Sequence, residues 1–360
     1  MTAHLGIRYA EPPFGERRFR APELVLDGVA RGAFGPISPQ SAELDGAPVW
    51  RPGDTDVLTL NLWTTALEPS VGGPELSVSP GMIKSRDPLG GDPRDALPTS
   101  DALPAGGRPV LLWLHGGANT FGSSAQPEYD GTALADMGLV VVTCNFRIGF
   151  EGFGHVPGAP HNRALLDVEA VLRWIRHRVH EFGGDPGNVT VAGQSAGAQL
   201  VACLLQHPKG LFHKAIAHSM PGRYFDEETA KAIAARIDAS TPESAVRTGD
   251  AITEDVLAEP LYQPVVETKP HEGRLDRTIP LLACHTSEED EALFREPTRR
   301  LAENHGNAHQ ATFPGGHGAD LPSMFADSDV SRAWVKFART GNPGWVPSEV
   351  CRLNGSTSAP

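Results

Sequence analysis

Near the middle of the chain stands Gly193-Gln194-Ser195-Ala196-Gly197, a serine between two glycines. It follows the β-branched and apolar run Val189 to Ala192, and it precedes Ala198, Val201, Leu204 and Leu205, which recur at helical spacing. The pattern is a strand, a sharp elbow and a helix. Glycines on both sides keep side chains out of such a turn, so a strained backbone can present the Ser195 hydroxyl as a nucleophile at the end of a sheet. The helix start behind it turns amides and the positive end of its dipole toward developing negative charge. A chain with 39 glycines can produce Gly-x-Ser-x-Gly by chance, so the weight of the motif depends on its partners.

Three further stretches can supply the complementary chemistry. His115-Gly116-Gly117-Ala118-Asn119 follows the apolar run Val110 to Leu114, and a glycine-rich loop at that place can turn backbone amides onto an oxyanion. Gly315-Gly316-His317-Gly318 follows the short run ending at Phe313 and sets a candidate general base on a late, flexible loop. Ser287-Glu288-Glu289-Asp290-Glu291, after the run Ile279 to Ala283, offers four carboxylates, any of which could orient that histidine. The chemistry is acyl transfer, with nucleophile, acid and base in that chain order.

The elements that must position these groups read as a parallel α/β protein. Val110 to Leu114, Leu139 to Val142 and Val189 to Ala192 are continuous apolar runs, as expected of strands buried on both faces. Ala164 to Phe182, with Leu165, Val168, Val171, Leu172, Ile175 and Val179 on one stripe, is the crossover helix before the serine strand. In such sheets ligands bind at the carboxyl ends of the strands, where the serine elbow and the His115 loop both fall. Further strands are expected at Leu58 to Trp63, Lys214 to His218, Ile279 to Ala283 and Gln310 to Phe313. Further helices are expected at Asp226 to Ile237, Leu293 to His305 and Val330 to Ala338. The opening Gly6 to Arg20 reads as extended and irregular, Ala66 to Gly107 as a disordered or loosely held Pro/Gly-rich insertion, and the tail after Trp345 as frayed. One domain over residues 1–345 accommodates all of this.

Composition narrows the partner. A net charge of -13 and a pI near 5.5 give no basic footprint for nucleic acid or an anionic membrane, which leaves a small molecule. With no leader and no membrane-length apolar run in this sequence, a cytoplasmic location is expected. The four cysteines are too irregularly spaced for a zinc site or a disulfide framework, and His177 with His180 reads as a solvated pair. No metal and no cofactor is expected.

Taken together, the chain resembles the type-B carboxylesterase family of α/β-hydrolases. The stretches that carry the likeness are Gly6 to Pro13, Thr59-Leu60-Asn61-Leu62-Trp63, His115-Gly116-Gly117, Asn145-Phe146-Arg147-Ile148-Gly149, Phe182 to Thr190, Gly193 to Gly197, Gly210 to Ile216 and Phe337 to Pro343. The resemblance implies an α/β-hydrolase fold, a mostly parallel central sheet with helices on both faces, and hydrolysis of small carboxylic esters through a serine acyl-enzyme. It implies Ser195 as nucleophile, His317 as base, and Gly117, Ala118 and Ala196 as donors of the oxyanion-hole amides. It selects Glu289 as the acid, with Glu291 and Glu288 as alternatives. The chain departs from the family pattern where Gln194 stands for the usual glutamate before the serine and Ala118 for the third glycine of the oxyanion loop. It is also shorter than its relatives, in stretches after Phe225 and between Phe294 and His317, which reads as a reduced cap and predicts an open pocket that prefers short acyl chains. A non-catalytic member of the same fold, acting as a binding protein, is the alternative.

Overall fold

The computed structural model describes residues 1–40, 45–65, 106–236 and 262–356. Its strands are β1 (Thr2–Arg8), β2 (Thr59–Thr64), β3 (Arg108–Leu114), β4 (Val140–Cys144), β5 (Gly184–Gln194), β6 (Lys214–His218), β7 (Leu281–Thr286), β8 (His309–Phe313) and β9 (Val350–Arg352). They form one sheet in the order β1-β2-β4-β3-β5-β6-β7-β8-β9. The β1–β2 and β2–β4 pairs are antiparallel, and every pair from β4–β3 onward is parallel. The helices are α1 (Thr132–Asp136), α2 (Gly149–Phe153), α3 (Arg163–Arg178), α4 (Ala196–Gln206), α5 (Glu227–Arg236), α6 (Glu296–His305), α7 (Leu321–Met324) and α8 (Asp329–Thr340). Among the described residues no helix is long and apolar enough to cross a membrane.

Alternation along each strand sorts side chains onto two cores. Val110, Leu112 and Leu114 of β3 join Val168 and Leu172 of α3 and Leu200 and Leu204 of α4 on one face. Leu111 and Trp113 face the other way and join Trp334 and Phe337 of α8. Both faces are covered by helices, which is why these strands read as unbroken apolar runs.

The structure differs from the local reading at several places. Thr2–Arg8, expected to be irregular from Gly6, is an edge strand with a bulge between His4 and Ile7, where the Gly6 amide donates to Asn61 Oδ1 at 3.0 Å. Val350–Arg352, expected within a frayed tail, pairs with β8, and the Trp345 indole just before it donates to the Gln310 carbonyl at 2.9 Å. Both strands exist through partners distant in sequence, which local patterning does not contain. The helix expected from Leu293 opens instead with a π-helical turn, Glu291–Arg295, whose start is capped by Asp290 accepting the Leu293 amide at 2.7 Å. The strand ahead of the serine is longer than Val189 to Ala192, beginning at Gly184. Residues 66–105 of the expected insertion, Ile237, and residues 357–360 of the tail lie outside the described residues.

One buried ion pair fixes the loop at the end of β4. Arg147 and Asp167 are both fully buried; Arg147 donates from its backbone amide (3.0 Å) and Nε (2.8 Å) to Oδ2 and from Nη2 to Oδ1 (2.7 Å). A third guanidinium nitrogen donates to the Arg20 carbonyl at 2.8 Å, which ties the opening segment to the body. Removing one partner leaves an uncompensated buried charge. Asp167→Ala is therefore expected to cost about 3 to 5 kcal/mol in urea unfolding, and the double variant Arg147→Met/Asp167→Leu to cost clearly less. Equal losses in the two would show that the charge pairing is not what the fold requires.

Candidate active site

Ser195 joins β5 to α4 with φ 53° and ψ -122°. That is a strained backbone for an L-residue, costing on the order of 1 to 3 kcal/mol, and it is held because the surroundings leave no alternative. Its amide donates to the His218 carbonyl at 2.9 Å and its own carbonyl accepts from Gln199 at 3.0 Å. A Cβ on Gly193 would lie 2.4 Å from the carbonyl carbon of Gly197, and one on Gly197 would lie 2.0 Å from the Leu114 carbonyl oxygen. Both glycines are sterically obligatory.

The loop after β3 lies directly against this elbow. A Cβ on Gly116 would come within 3.3 Å of Ser195 Cβ and 2.7 Å of Gln194 Oε1. Beyond it the chain runs through three positive φ values, 111° at Gly117, 51° at Ala118 and 64° at Asn119. An alanine thus occupies a left-handed position, at a cost of about 1 to 2 kcal/mol. Asn119 holds the turn: its Nδ2 donates to Gln199 Oε1 and to the Tyr262 carbonyl, both at 3.0 Å, and its carbonyl accepts from Gly149 at 2.6 Å. The amides of Gly117, Ala118 and Ala196 donate to no other described group. His115, at the root of the loop, is buried and stacks on Phe146 with centroids 4.4 Å apart. Burial pushes its pKa down to about 4, against a partly offsetting contact with the Gly116 carbonyl.

His317 lies between β8 and α7, and its Nδ1 donates to Glu289 Oε2 at 2.9 Å. The Glu289 side chain is fully buried, and its Oε1 accepts the Thr286 amide at 3.1 Å. A carboxylate only accepts, so Nδ1 carries a proton, and in the neutral ring Nε2 presents a lone pair. Of the three acidic candidates, Glu289 alone meets the histidine: Glu288 is exposed, and Glu291 is drawn away by Arg295 and Arg299. Phe294, on the π-helical turn, stacks on the imidazole with centroids 3.9 Å apart and planes 21° from parallel. No periodicity marks that contact in the sequence, because it depends on the one-residue phase shift of the π turn.

The lone pair of His317 does not reach Ser195. Its Nε2 is 3.2 Å from the side-chain nitrogen of Gln194, and the Ser195 hydroxyl has no hydrogen-bond partner among the described residues. The structure brings Glu289 and His317 together and sets His317 beside the elbow, one residue from Ser195. Catalytic hydrogen bonds often close only when substrate is bound. A cavity of about 1140 Å³ lies elsewhere, lined by groups such as Leu165, Cys203 and Arg274 and by none of Ser195, Glu289 or His317.

The profile of the Carboxylesterase family matches residues 1–248, a range that contains the elbow and the oxyanion loop and ends short of Glu289 and His317. Phenmedipham hydrolase of Pseudarthrobacter oxydans is 38% identical over 227 residues, which cover 60% of this chain and 38% of that protein. Para-nitrobenzyl esterase of Bacillus subtilis (strain 168) is 37% identical over 243 residues, covering 64% of this chain and 42% of the other. The alignments thus span about two fifths of these relatives' lengths. A solved PNB esterase superposes with a TM-score of 0.74 at 25% identity, covering 98% of this chain and 92% of that one.

The environment of His115 makes stability depend on pH. Between about pH 6.5 and about pH 4 the unfolded chain protonates this histidine and the folded chain does not, so stability is whole above that window and falls as pH drops through it. The share of His115 is about 3 kcal/mol. Urea melts at about pH 7 and about pH 4.5 should show a smaller difference in His115→Asn than in the parent. An unchanged difference would remove His115 from the account.

Proposed function

The chain belongs to the carboxylesterase family, and from that premise we propose that it hydrolyses carboxylic esters through an acyl-enzyme on Ser195. The observation that carries the reading is the buried Glu289 carboxylate, 2.9 Å from His317 Nδ1, holding the ring in the tautomer whose lone pair faces the serine elbow. Ser195 attacks the ester carbonyl while His317 Nε2 takes its proton, and the imidazolium then protonates the departing alkoxide. Water, deprotonated by the same nitrogen, releases the acid and restores the serine. The amides of Gly117, Ala118 and Ala196 stabilise the oxyanion, each worth about 3 to 4 kcal/mol where such donors have been removed elsewhere. Small esters with short acyl chains are the substrates proposed, in keeping with the abbreviated cap segments of the sequence.

A second reading, a catalytically impaired binding protein, draws on one observation: the Gln194 amide, rather than the Ser195 hydroxyl, meets His317 Nε2. The amide has two ends, however. It donates from nitrogen to the neutral ring, and after a half turn about its terminal bond it accepts from the imidazolium with oxygen. Gln194 can therefore hold both protonation states of the base.

Turnover of p-nitrophenyl acetate and fluorophosphonate labelling separate the readings. Ser195→Ala and His317→Ala should each lower kcat by about 10⁴-fold or more, and Glu289→Gln, which keeps the shape and loses the tautomer, by about 10³ to 10⁴-fold. A folded parent chain that neither labels at Ser195 nor turns over the ester would favour the binding protein. Gln194→Glu sets a carboxylate against Nε2 and favours the imidazolium, so the acid limb of kcat/KM against pH should move to higher pH. A limb that stays in place would show that Gln194 does not touch the base in solution.

A further inference from the structure

His317 is carried on a run that cannot hold itself in place. Gly315, Gly316 and Gly318 surround it, with φ of +100° at Gly315 and +81° at Gly318, and glycine backbones have the most freedom to lose. Three residues on, Asp320 is fully buried, and its Oδ2 accepts from His218 Nδ1 at 2.7 Å. His218 is the last residue of β6 and is itself buried, and its backbone carbonyl receives the Ser195 amide at 2.9 Å. One residue therefore touches the nucleophile through its backbone and the base-carrying loop through its side chain. On the far side of the ring the Trp334 indole of α8 donates to His218 Nε2 at 3.0 Å. An indole N–H only donates, so Nε2 presents its lone pair and the proton lies on Nδ1, aimed at Asp320. Burial opposes a charge on His218, the largest influence on it, while the Asp320 carboxylate favours one. A second ring proton would nevertheless point at the Trp334 N–H, and the packing accommodates the neutral ring.

We propose that the buried pair of His218 and Asp320 is a positioning device that pins the His317 loop to the nucleophile elbow, so that Ser195 and His317 stay in register through acylation and deacylation. The proposal rests on the assignment of His317 as general base. Asp320 and His218 touch no reacting atom; they act through the loop between Gly315 and Asp320 and through the Ser195 amide. Besides the contacts of His317 itself with Glu289, Gln194 and Phe294, the described anchors of that loop are backbone bonds, from the Glu288 amide to the Gly315 carbonyl at 2.9 Å, the Ala319 amide to the Gly316 carbonyl at 3.0 Å and the Leu321 amide to the Gly318 carbonyl at 3.1 Å. The carboxylate to imidazole bond is the side-chain contact that ties the loop to β6, and misplacement of a reacting group by about 1 Å can cost about 10²-fold in rate.

The test counts competent sites with a fluorophosphonate and measures acylation by p-nitrophenyl acetate in stopped flow, per counted site and well below each variant's Tm. Asp320→Ala should acylate about 10 to 100-fold more slowly with KM within about twofold of the parent. Asp320→Asn, whose amide oxygen still accepts the Nδ1 proton, should recover to within about threefold of the parent. His218→Ala should match Asp320→Ala, and the double variant should be no slower than either single one, because all three break the same bond. Parental acylation per site in Asp320→Ala, or losses that add in the double variant, would overturn the proposal. Should Asp320→Ala fail to fold, His218→Ala decides alone, since it leaves the carbonyl for Ser195 intact. Failure of the underlying assignment has its own signature: His317→Ala would then acylate at the parental rate whatever the Asp320 variants do.

Discussion

The structure turns on a contact between two backbones. At the end of β3 the Leu114 carbonyl oxygen lies so close to Gly197 that a Cβ there would stand 2.0 Å away, and across the elbow Gly193 meets the carbonyl of Gly197 at comparable range. With no side chain at either place, β5 can turn directly into α4. The turn drives Ser195 to a positive φ and sets the start of the helix beside the loop after β3. Ser195, a helix start and a glycine-rich loop share one small volume because two residues there have no Cβ. The left-handed run at Gly117, Ala118 and Asn119 completes the same volume from the other side.

Around that contact the strand-end loops are held by buried polar groups. The Arg147 and Asp167 pair fixes the loop after β4. The Arg163 guanidinium donates to the carbonyls of Phe150, Glu151, Gly154 and Pro160, and burial lowers its pKa to about 10. Glu151, in turn, meets Arg18 of the opening segment at 2.6 Å. Arg147 and Arg163 thus tie down the loops around them by filling backbone acceptors, the condition under which a loop can be buried at all. A parallel sheet gathers its carboxyl-terminal loops at one edge, and these networks give them fixed shapes there.

Much of this was legible in the residues. The runs at Val110 to Leu114, Leu139 to Val142 and Lys214 to His218, and the stripe from Leu165 to Val179, form the expected elements because burial on both faces of a parallel sheet imposes a continuous apolar pattern. Ser195 and the His115 to Asn119 loop were legible for a related reason: glycine at fixed offsets marks backbone that no other residue can follow. Glu289 was not separable from Glu288 and Glu291 by residue type or by spacing alone. What distinguishes it is the direction of its side chain on leaving β7, inward to the Thr286 amide and His317, while its neighbours point to solvent and to arginines. The edge strands β1 and β9 escaped for want of a local signal, since their hydrogen-bond partners lie far off in the chain.

The sequence by itself determined the order of the parts: a parallel sheet, a serine on a glycine-flanked elbow, amides before it, carboxylates and a histidine after it. It could do so because patterning and steric exclusion act over a few residues. The tertiary structure alone decided which groups meet. It set Glu289 on His317, turned the free nitrogen of that ring toward Gln194 instead of Ser195, laid Phe294 on its face, and linked Asp320 to His218 across about a hundred residues of chain. Those contacts depend on side-chain directions at the ends of neighbouring strands, and such directions are set only once the strands are packed in register.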